Sequence, residues 1–307
     1  DERAIADVLK EKLTALGLTV TEDKAGEVLG GNTGNLYAQL PGNTDGEPVL
    51  FSAHMDRVGN HGHIVPLVKE EEGKIVSDGT SILAGDDIGG VAAILAMLRE
   101  VKEKQIPHGL IEVAFSVCEE TGVEGSRQYD FSKFRSKSAF VYDASGKAGT
   151  IVLAAPSKGR VTIRVHGVTA HAGNEPEKGL NALKVAADLI MQLPDGRLSP
   201  VSTANFSIIE AGSATNVVCD LVTITGEQRS RDAKEYQQIS ADIQAAADRI
   251  SEKYHTKIEV ELHTLYHAFK LEETARPCLL AKEAAEAVGA VPFFKEGGGG
   301  MDANHFN

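Results

Sequence analysis

Residues 110–118 read Leu-Ile-Glu-Val-Ala-Phe-Ser-Val-Cys, and two acids, Glu119 and Glu120, follow them directly. A nearly continuous apolar run of this length predicts a strand buried on both faces, as in a parallel or mixed sheet that helices cover. Ligand sites in open α/β sheets gather at the carboxyl ends of the strands. The stretch therefore predicts an α/β fold and places two carboxylates where such a fold carries its chemistry.

The segments around this stretch alternate between strands and helices. Apolar spacing predicts helices at 4–16 and 88–101, the first of which ends at Gly17. Short apolar runs between turn residues predict strands at 35–40, 49–54, 139–143 and 150–155. We therefore expect a mixed-sheet domain with helices on both faces.

The pattern changes after Pro156. It predicts a strand, a helix, two strands, a helix and a strand at 159–166, 181–192, 205–210, 220–228, 233–254 and 257–265. This is the order of a ferredoxin-like α+β domain. We therefore expect one domain formed by 1–156 and 271–307, with a second domain inserted at 157–270. A chain of 307 residues is also long enough for two hydrophobic cores.

Composition excludes several classes of partner. The net charge is −13, from 44 acidic and 31 basic residues, which disfavours binding to nucleic acid and to anionic membranes. No apolar run approaches the roughly 20 residues of a membrane helix. The three cysteines form no Cys-x-x-Cys pair, so we expect reduced thiols in a cytoplasmic protein. Any metal must then be held by histidine and carboxylates.

Two motifs pair polar side chains at the ends of predicted elements. His54 and Asp56 close a strand, where residues two apart point the same way, and an Asp can hold the second N–H of a metal-binding histidine. Asp86 and Asp87 precede the helix at 88–101. They fit a helix cap and a first-turn acid as well as a carboxylate that bridges two metals. Each motif alone therefore leaves a structural interpretation open.

Three further acids follow predicted strands. Repulsion between Glu119 and Glu120 raises the pKa of one of them unless a cation compensates. Asp143 also ends a strand, where a turn-forming Asp is the simpler interpretation. As separate residues these acids also fit a solvated surface or a turn, but together with the two motifs they are candidate ligands for divalent cations.

In this order the motifs resemble the metal site of the co-catalytic zinc aminopeptidase/carboxypeptidase family. The matching stretches are His54-x-Asp56, Asp78-Gly79-Thr80, Gly85-Asp86-Asp87, Glu119-Glu120-x-Gly122 and Tyr142-Asp143. Within that family the chain is most similar to tripeptide aminopeptidases of the peptidase T type. The stretches that carry this closer resemblance are 77–83, 104–109, 170–173, 176–179, 215–220 and 298–304.

The resemblance implies two divalent metal ions, zinc first, with cobalt or manganese as alternatives. It implies that His54 and Asp143 bind one metal, that Glu120 binds the second, and that Asp86 bridges them. Glu119 would be the general base, and Asp56 would orient His54. In the family the peptide bond after the bridging Asp is cis.

The resemblance also implies that 1–156 and 271–307 form the metal-binding catalytic domain and that 157–270 form a lid and dimerisation domain that contacts the substrate. His171 would donate a hydrogen bond to the developing oxyanion, and Asn216 and Arg229 would hold the carboxylate end of the substrate. Arginine suits that task because its planar fork meets a carboxylate bidentately. Pairing of two lid domains would give a homodimer.

Three positions depart from the family pattern. Ile88 stands where a Lys is usual, and Arg57 stands where a Thr is usual. The family's last metal ligand is a His beyond the Gly-rich motif, in a His-Thr context that is absent from the 307 residues. We do not assign His305 to this role, so either the chain continues beyond Asn307 or the second metal is held weakly.

We therefore expect a dinuclear metallopeptidase that hydrolyses the N-terminal peptide bond of short peptides. An amidohydrolase of the aminoacylase or dipeptidase type and a non-catalytic peptide-binding descendant are the alternatives. The glycine run at 297–300 has no Lys-Ser/Thr pair after it and is weak evidence for phosphate binding.

Overall fold

The computed structural model describes residues 2–59 and 62–307. Up to residue 155 its elements are α1 (Arg3–Ala15), β1 (Thr19–Glu22), α2 (Ala25–Leu29), β2 (Leu36–Leu40), β3 (Val49–His54), β4 (Pro66–Lys69), β5 (Lys74–Ser77), α3 (Gly85–Glu103), β6 (Ile111–Ser116), β7 (Ser138–Val141) and β8 (Thr150–Ala155). The elements that follow are β9 (Ser157–His166), α4 (Ala182–Ile190), β10 (Gly196–Ser199), β11 (Ser202–Ala211), β12 (Leu221–Ser230), α5 (Ala233–Tyr254), β13 (Ile258–Tyr266), β14 (Phe269–Lys270), α6 (Arg276–Ala287), β15 (Phe293–Glu296) and α7 (Ala303–Phe306).

The chain divides into two compact units. The first contains Asp1–Leu153, Leu271–Lys295 and Met301–Asn307, and the second contains Ala154–Lys270 and Glu296–Gly300. A further, three-stranded sheet has the strand order β14-β8-β15. None of the helices within the described ranges combines the length and the hydropathy of a membrane-spanning segment.

The first unit is built on a mixed sheet ordered β1-β2-β6-β3-β7. The three strands β6, β3 and β7 are parallel, whereas β2 pairs antiparallel with β6 and β1 antiparallel with β2. Every residue of β6 is buried, as its apolar sequence predicts. The carboxyl ends of the parallel strands therefore lie at the same edge of the sheet. At this edge His54, the last residue of β3, is in register with Ser116, the last residue of β6.

Helices cover both faces of this sheet. On one face, α1 buries Ala6, Leu9 and Leu13 at helical spacing in one apolar cluster with Ile94 and Leu98 of α3. On the other face a smaller cluster joins buried residues of β3 and β6 to an aromatic group, consisting of Leu50, Ala114, Tyr129, Phe134 and Phe306. This confirms the predicted mixed α/β layer.

The second unit is an antiparallel sheet ordered β10-β11-β12-β9-β13, with α4 and α5 packed on it. Its βαββαβ order is the ferredoxin-like order that the sequence predicts, with β10 added as an extra edge strand. The buried residues of α5 recur at Ile239, Ile243 and Ile250, which places one stripe of the helix in the core. Glu296–Gly300, which we expected in the catalytic domain, belong to this unit. The reason is local, because Arg231 pairs with Glu296 and donates to the carbonyl of Gly297.

Candidate metal centre and active site

His54 is the last residue of β3, and its side chain is buried. Its Nδ1 lies 3.0 Å from the carbonyl oxygen of Asp56, and its Nε2 lies 3.0 Å from Oδ1 of Asp86. A neutral ring that donates from Nδ1 keeps the Nε2 lone pair for a ligand bond. Burial opposes the charged ring, but the hydrogen bond and charge of Asp56, with Asp143 and Glu119 nearby, raise the pKa of His54 to about 11.

The carboxylate of Asp56 ties the end of β3 to the turn that follows β6. It accepts the backbone N–H groups of Glu119 at 2.9 Å and of Glu120 at 3.0 Å, one on each oxygen. Burial opposes ionisation, yet the hydrogen bonds from His54 and from the Glu119 amide hold the pKa of Asp56 below its usual value. Asp56 therefore remains a carboxylate and fixes the positions of both glutamates.

The peptide bond between Asp86 and Asp87 is cis, and Asp86 keeps an exposed side chain at the amino end of α3. Asp87 is buried and accepts the backbone N–H groups of His54 and Gly90, each at 3.2 Å. The backbone of α3 is non-helical at Asp86 and Asp87, so Asp87 caps the continuous turns that follow it, and it also anchors β3. Burial raises the pKa of Asp87 to about 7.

The acids that follow β6 and β7 lie close together, and their pKa values are raised. Burial, followed by the charge of Asp302, raises the pKa of Glu119 to about 8. Burial and then the charge of Asp86 raise the pKa of Glu120, and burial with the charge of Glu119 raises that of Asp143 well above its ordinary range. So many partly buried carboxylates in one place are stabilised by a cation.

Two groups of side chains in the described part of the chain bring their ligand atoms within 4.8 Å of one another. The first contains His54, Asp86 and Glu120, and the second contains His54, Glu119 and Asp143. One imidazole nitrogen among carboxylate oxygens is a donor set for zinc, cobalt or manganese. The residues present therefore fit the metal ions that the sequence implies.

Asp78 belongs to neither group. Its Oδ1 accepts hydrogen bonds from the backbone and hydroxyl of Thr80, at 2.9 and 2.7 Å, in an exposed turn.

Two residues that depart from the family pattern directly follow Asp56 and Asp87 in the sequence. Ile88 is half-buried in α3, and Arg57 is half-buried with its Nη1 atom shielded from solvent.

The predicted substrate-binding residues all lie in the second unit. His171 and Val217 form an isolated antiparallel bridge, and the carbonyl of Asn216 accepts the N–H of Ala172 at 3.0 Å. The Nδ1 atom of His171 accepts backbone N–H groups at 3.2 Å, so the neutral ring carries its proton on Nε2. Arg229 lies on β12, in the sheet of this unit.

Sequence reasoning gave no role to Asp302, which is buried beside the metal centre. Its Oδ2 accepts the hydroxyl of Ser116, the last residue of β6, and its charge contributes to the raised pKa of Glu119. Asp302 lies within one of the stretches that carry the family resemblance. A buried acid there could have been predicted only by knowing that the two segments, 186 residues apart, are in contact.

Comparison with known proteins gives two family matches. Residues 156–255 match the model described as the peptidase dimerisation domain, and residues 35–174 match the model of peptidase family M28. The second match contains every residue of the metal centre described above except Asp302. The first covers most of the ferredoxin-like unit.

Relatives that match nearly the whole of this chain also support this family. The chain is 36% identical to protein YqjE of Bacillus subtilis over 303 residues, which cover 99% of this chain and 81% of that protein. It resembles the crystal structure of aminopeptidase PepT from Bacillus cereus with a TM-score of 0.86 and 40% identity, covering 98% of this chain and 80% of the other.

A tripeptidase from Staphylococcus aureus aligns with a TM-score of 0.91 and 33% identity, over 99% of this chain and 81% of its own. Identity above 30% across about four fifths of each relative shows common family membership rather than a shared fold alone. The chain therefore belongs to the peptidase T-like members of the M20/M28 peptidase family and is a metal-dependent peptide hydrolase.

Proposed function

We propose that this hydrolase is a dinuclear zinc peptidase that releases the N-terminal residue of short peptides, tripeptides in particular. The observation that carries the proposal is the pair of donor groups that share His54. Because Nδ1 of His54 is hydrogen-bonded to Asp56, its remaining nitrogen serves one ion, and the four carboxylates of the two groups leave donors for a second.

His54 and Asp143 would hold one ion, Glu120 would hold the other, and Asp86 would contribute to both. Asp86 suits the bridging position because its carboxylate is exposed and already lies 3.0 Å from Nε2 of His54. When bound, two divalent ions lower the pKa of a water molecule and polarise the scissile carbonyl.

Glu119 is the proposed general base, and its surroundings support that role. A base works best when its pKa lies near the working pH, and burial moves the pKa of Glu119 toward neutrality. In the proposed reaction its carboxylate takes a proton from the attacking water and returns it to the leaving amine. Asp56 supports this step because it holds the Glu119 backbone by a hydrogen bond.

The second unit supplies the proposed substrate contacts. His171 is set up as a donor, because its Nδ1 accepts backbone N–H groups and leaves the proton on Nε2. Its proposed role is to donate to the oxygen on which charge develops during hydrolysis. Asn216 and Arg229 are proposed to bind the terminal carboxylate of the peptide, and Arg229 has the planar fork that this group needs.

The second unit is also the proposed dimer interface. Its match to the peptidase dimerisation domain supports this assignment. Part of β11 extends past the short edge strand β10 and leaves Ile208 and Ile209 about half exposed. Light scattering after size-exclusion chromatography tests the proposal, which predicts the mass of two chains and a single-chain mass for Ile208→Lys.

The function is tested with a panel of free tripeptides, dipeptides and acyl-amino acids, assayed with added Zn²⁺, Co²⁺ or Mn²⁺. We expect metal-dependent release of the N-terminal residue from tripeptides and its loss in Glu119→Ala. The control variant Glu103→Ala, at an exposed position near the end of α3, is expected to retain activity. Cleavage of acyl-amino acids but not of tripeptides would instead assign the chain to the aminoacylase type. Metal binding without any turnover would contradict the proposal.

A further inference from the structure

The guanidinium of Arg229 is held by a carboxylate of its own strand. Glu227 lies two residues earlier on β12, so both side chains point to the same face of the sheet. Nε of Arg229 lies 2.6 Å from Oε1 of Glu227, and Nη2 lies 3.2 Å from Oε2. This is a bidentate contact along one side of the guanidinium plane.

A second cation shares the same carboxylate. Lys158 is the cross-strand partner of Arg229 on β9, and its Nζ lies 3.2 Å from Oε2 of Glu227. The intervening residue, Gln228, points the other way and donates to Ser240 of α5. The three charged side chains therefore lie on the face of the sheet that α5 does not cover, and they carry one net positive charge.

The contact with Glu227 leaves a defined edge of Arg229 for another acceptor. Glu227 uses the side formed by Nε and Nη2, whereas the end of the fork is formed by Nη1 and the second N–H of Nη2. Nη1 has a long contact of 3.4 Å to the carbonyl of Gly298, and no other carboxylate of the described residues meets that end. The end of the fork has the two parallel N–H groups that a carboxylate accepts.

We propose that Glu227 is a positioning residue for substrate binding. It fixes the plane of the Arg229 guanidinium so that the end of the fork receives the terminal carboxylate of the peptide. Together with Lys158 it leaves the one net positive charge that this anion requires. The inference rests on the proposed function, because it takes Arg229 as a substrate contact.

The charge state of Glu227 supports this role. Burial opposes its ionisation, but the hydrogen bond and charge of Arg229 and the charge of Lys158 hold the pKa of Glu227 below its usual value. The fork is therefore held by a carboxylate at neutral pH. A competing interpretation is that Glu227 merely neutralises Arg229 and occupies the place of the substrate. The two interpretations predict opposite effects when the carboxylate is removed.

The test compares a tripeptide with a free C-terminus, trialanine, and its C-terminal amide, using the metal-loaded protein. For Glu227→Gln we expect KM for the free acid to rise roughly tenfold with little change in kcat, since about one charge-assisted hydrogen bond is lost. KM for the amide is expected to stay within about twofold, as for loss of an interaction with the carboxylate alone. The ratio between the two substrates does not depend on the fraction of active protein. A lower KM for the free acid would overturn the proposal in favour of competition.

The matched control is Glu261→Gln, which removes an exposed ion pair with Arg164 from the same sheet and is expected to leave both substrates unaffected. Arg229→Ala separates the two proposals. If this variant loses the preference for the free acid but Glu227→Gln keeps it, positioning by Glu227 is wrong and substrate binding by Arg229 stands. If the wild-type protein has a similar KM for the free tripeptide and its amide, the proposed binding of the substrate carboxylate by Arg229 is wrong. Equal losses on both substrates in Glu227→Gln would indicate a structural role only.

Discussion

Oδ1 of Asp56 accepts the backbone N–H of Glu119 at 2.9 Å, so the residue beside His54 also fixes the proposed general base. One carboxylate thus connects the ends of two parallel strands, β3 and β6. The hydrogen bond explains why the two acids after β6 lie close to the histidine that ends β3. A change at Asp56 is therefore expected to disturb the metal centre without removing a ligand.

Asp56→Asn is expected to lower metal affinity by about 10- to 100-fold, the range seen when a partner of a metal-binding histidine is replaced. The amide has only one acceptor oxygen, so one of the N–H groups of Glu119 and Glu120 loses its partner. Competition with a chromophoric zinc chelator measures the change. The control Asp130→Asn alters an exposed cap of a short helical turn and should leave affinity unchanged. Wild-type affinity in Asp56→Asn would contradict the role given to Asp56.

Metal affinity is expected to rise as pH increases from 6 to 9. Without metal, the raised pKa values of Glu119, about 8, and of His54, about 11, mean that these groups hold protons that a cation must displace. Titration calorimetry in buffers of different ionisation enthalpy should show proton release on binding. Affinity independent of pH over this range would show that the site is already deprotonated.

The same pKa shifts predict how pH affects the stability of the metal-free protein. Because the folded state binds more protons than the unfolded state, the contribution of Glu119 and His54 to unfolding free energy falls as pH rises. Added metal removes this penalty, so the rise in Tm on adding Zn²⁺ should be larger at pH 8.5 than at pH 6. An equal rise at both values would contradict the argument.

Gly90→Ala is expected to destabilise the protein by about 1–3 kcal/mol, the usual effect of overpacking, and to weaken metal binding. A Cβ atom at Gly90 would lie 2.3 Å from Oδ1 of Asp87 and 2.8 Å from the backbone oxygen of Tyr142. Displacement of Asp87 would also disturb the backbone of His54, to which it is hydrogen-bonded.

The neighbouring position provides the control for this substitution. No atom lies within 4 Å of a Cβ built on Gly89, which is exposed in the same helix. Gly89→Ala should be neutral or stabilising by up to about 1 kcal/mol, because alanine favours helix. Since the chain has no tryptophan, far-UV circular dichroism in urea is the suitable measurement for both variants. Equal effects at the two positions would contradict the packing argument.

Glu112→Gln is expected to cost about 1–3 kcal/mol at pH 7, because partly buried hydrogen bonds lose their charged acceptor. Glu112 is buried within β6 and accepts the backbone N–H groups of Arg135 and Ser136 and the hydroxyl groups of Tyr37 and Ser136. Burial opposes ionisation, but these donors hold the pKa of Glu112 below its usual value.

The sign of the pH effect gives an independent check. A lowered pKa contributes stability above the unfolded value, near 4.5, that is lost as pH falls below it. The stability difference between wild type and Glu112→Gln should therefore be smaller at pH 4 than at pH 7. A constant difference would mean that the cost arises from packing rather than from charge.

The fold was predictable where sequence patterns are strong. The apolar run at 110–118 and the helical spacing in 4–16 and 233–254 predict elements that the structure confirms, because each buries a continuous face or stripe. The hairpin of β4 and β5 was not predicted, since both strands are largely exposed and lack an alternating pattern. Edge strand β10 was not predicted either, since it is short and mostly exposed.

The candidate site was predictable to the extent that motif order implies proximity. The structure brings the ligand atoms of His54, Asp86 and Glu120 together. The ligand atoms of Glu119 and Asp143 also lie close to His54 and form a second group with it. Their roles as ligands and base remain predictions. The contact of Glu227 with Arg229 was not foreseen, because the alternation of β12 shows which residues share a face but not which of them pair.

The assignment of residues 296–300 to the ferredoxin-like unit has a practical consequence for dissecting the protein. The chain changes units at 153–154, 270–271, 295–296 and 300–301, so this unit has two separate pieces in sequence. A fragment cut at 154 and 270 would lack Glu296 and the carbonyl groups that Arg229 and Arg231 hold. An expressed fragment that keeps this unit intact must therefore carry the glycine segment through a linker or a circular permutation.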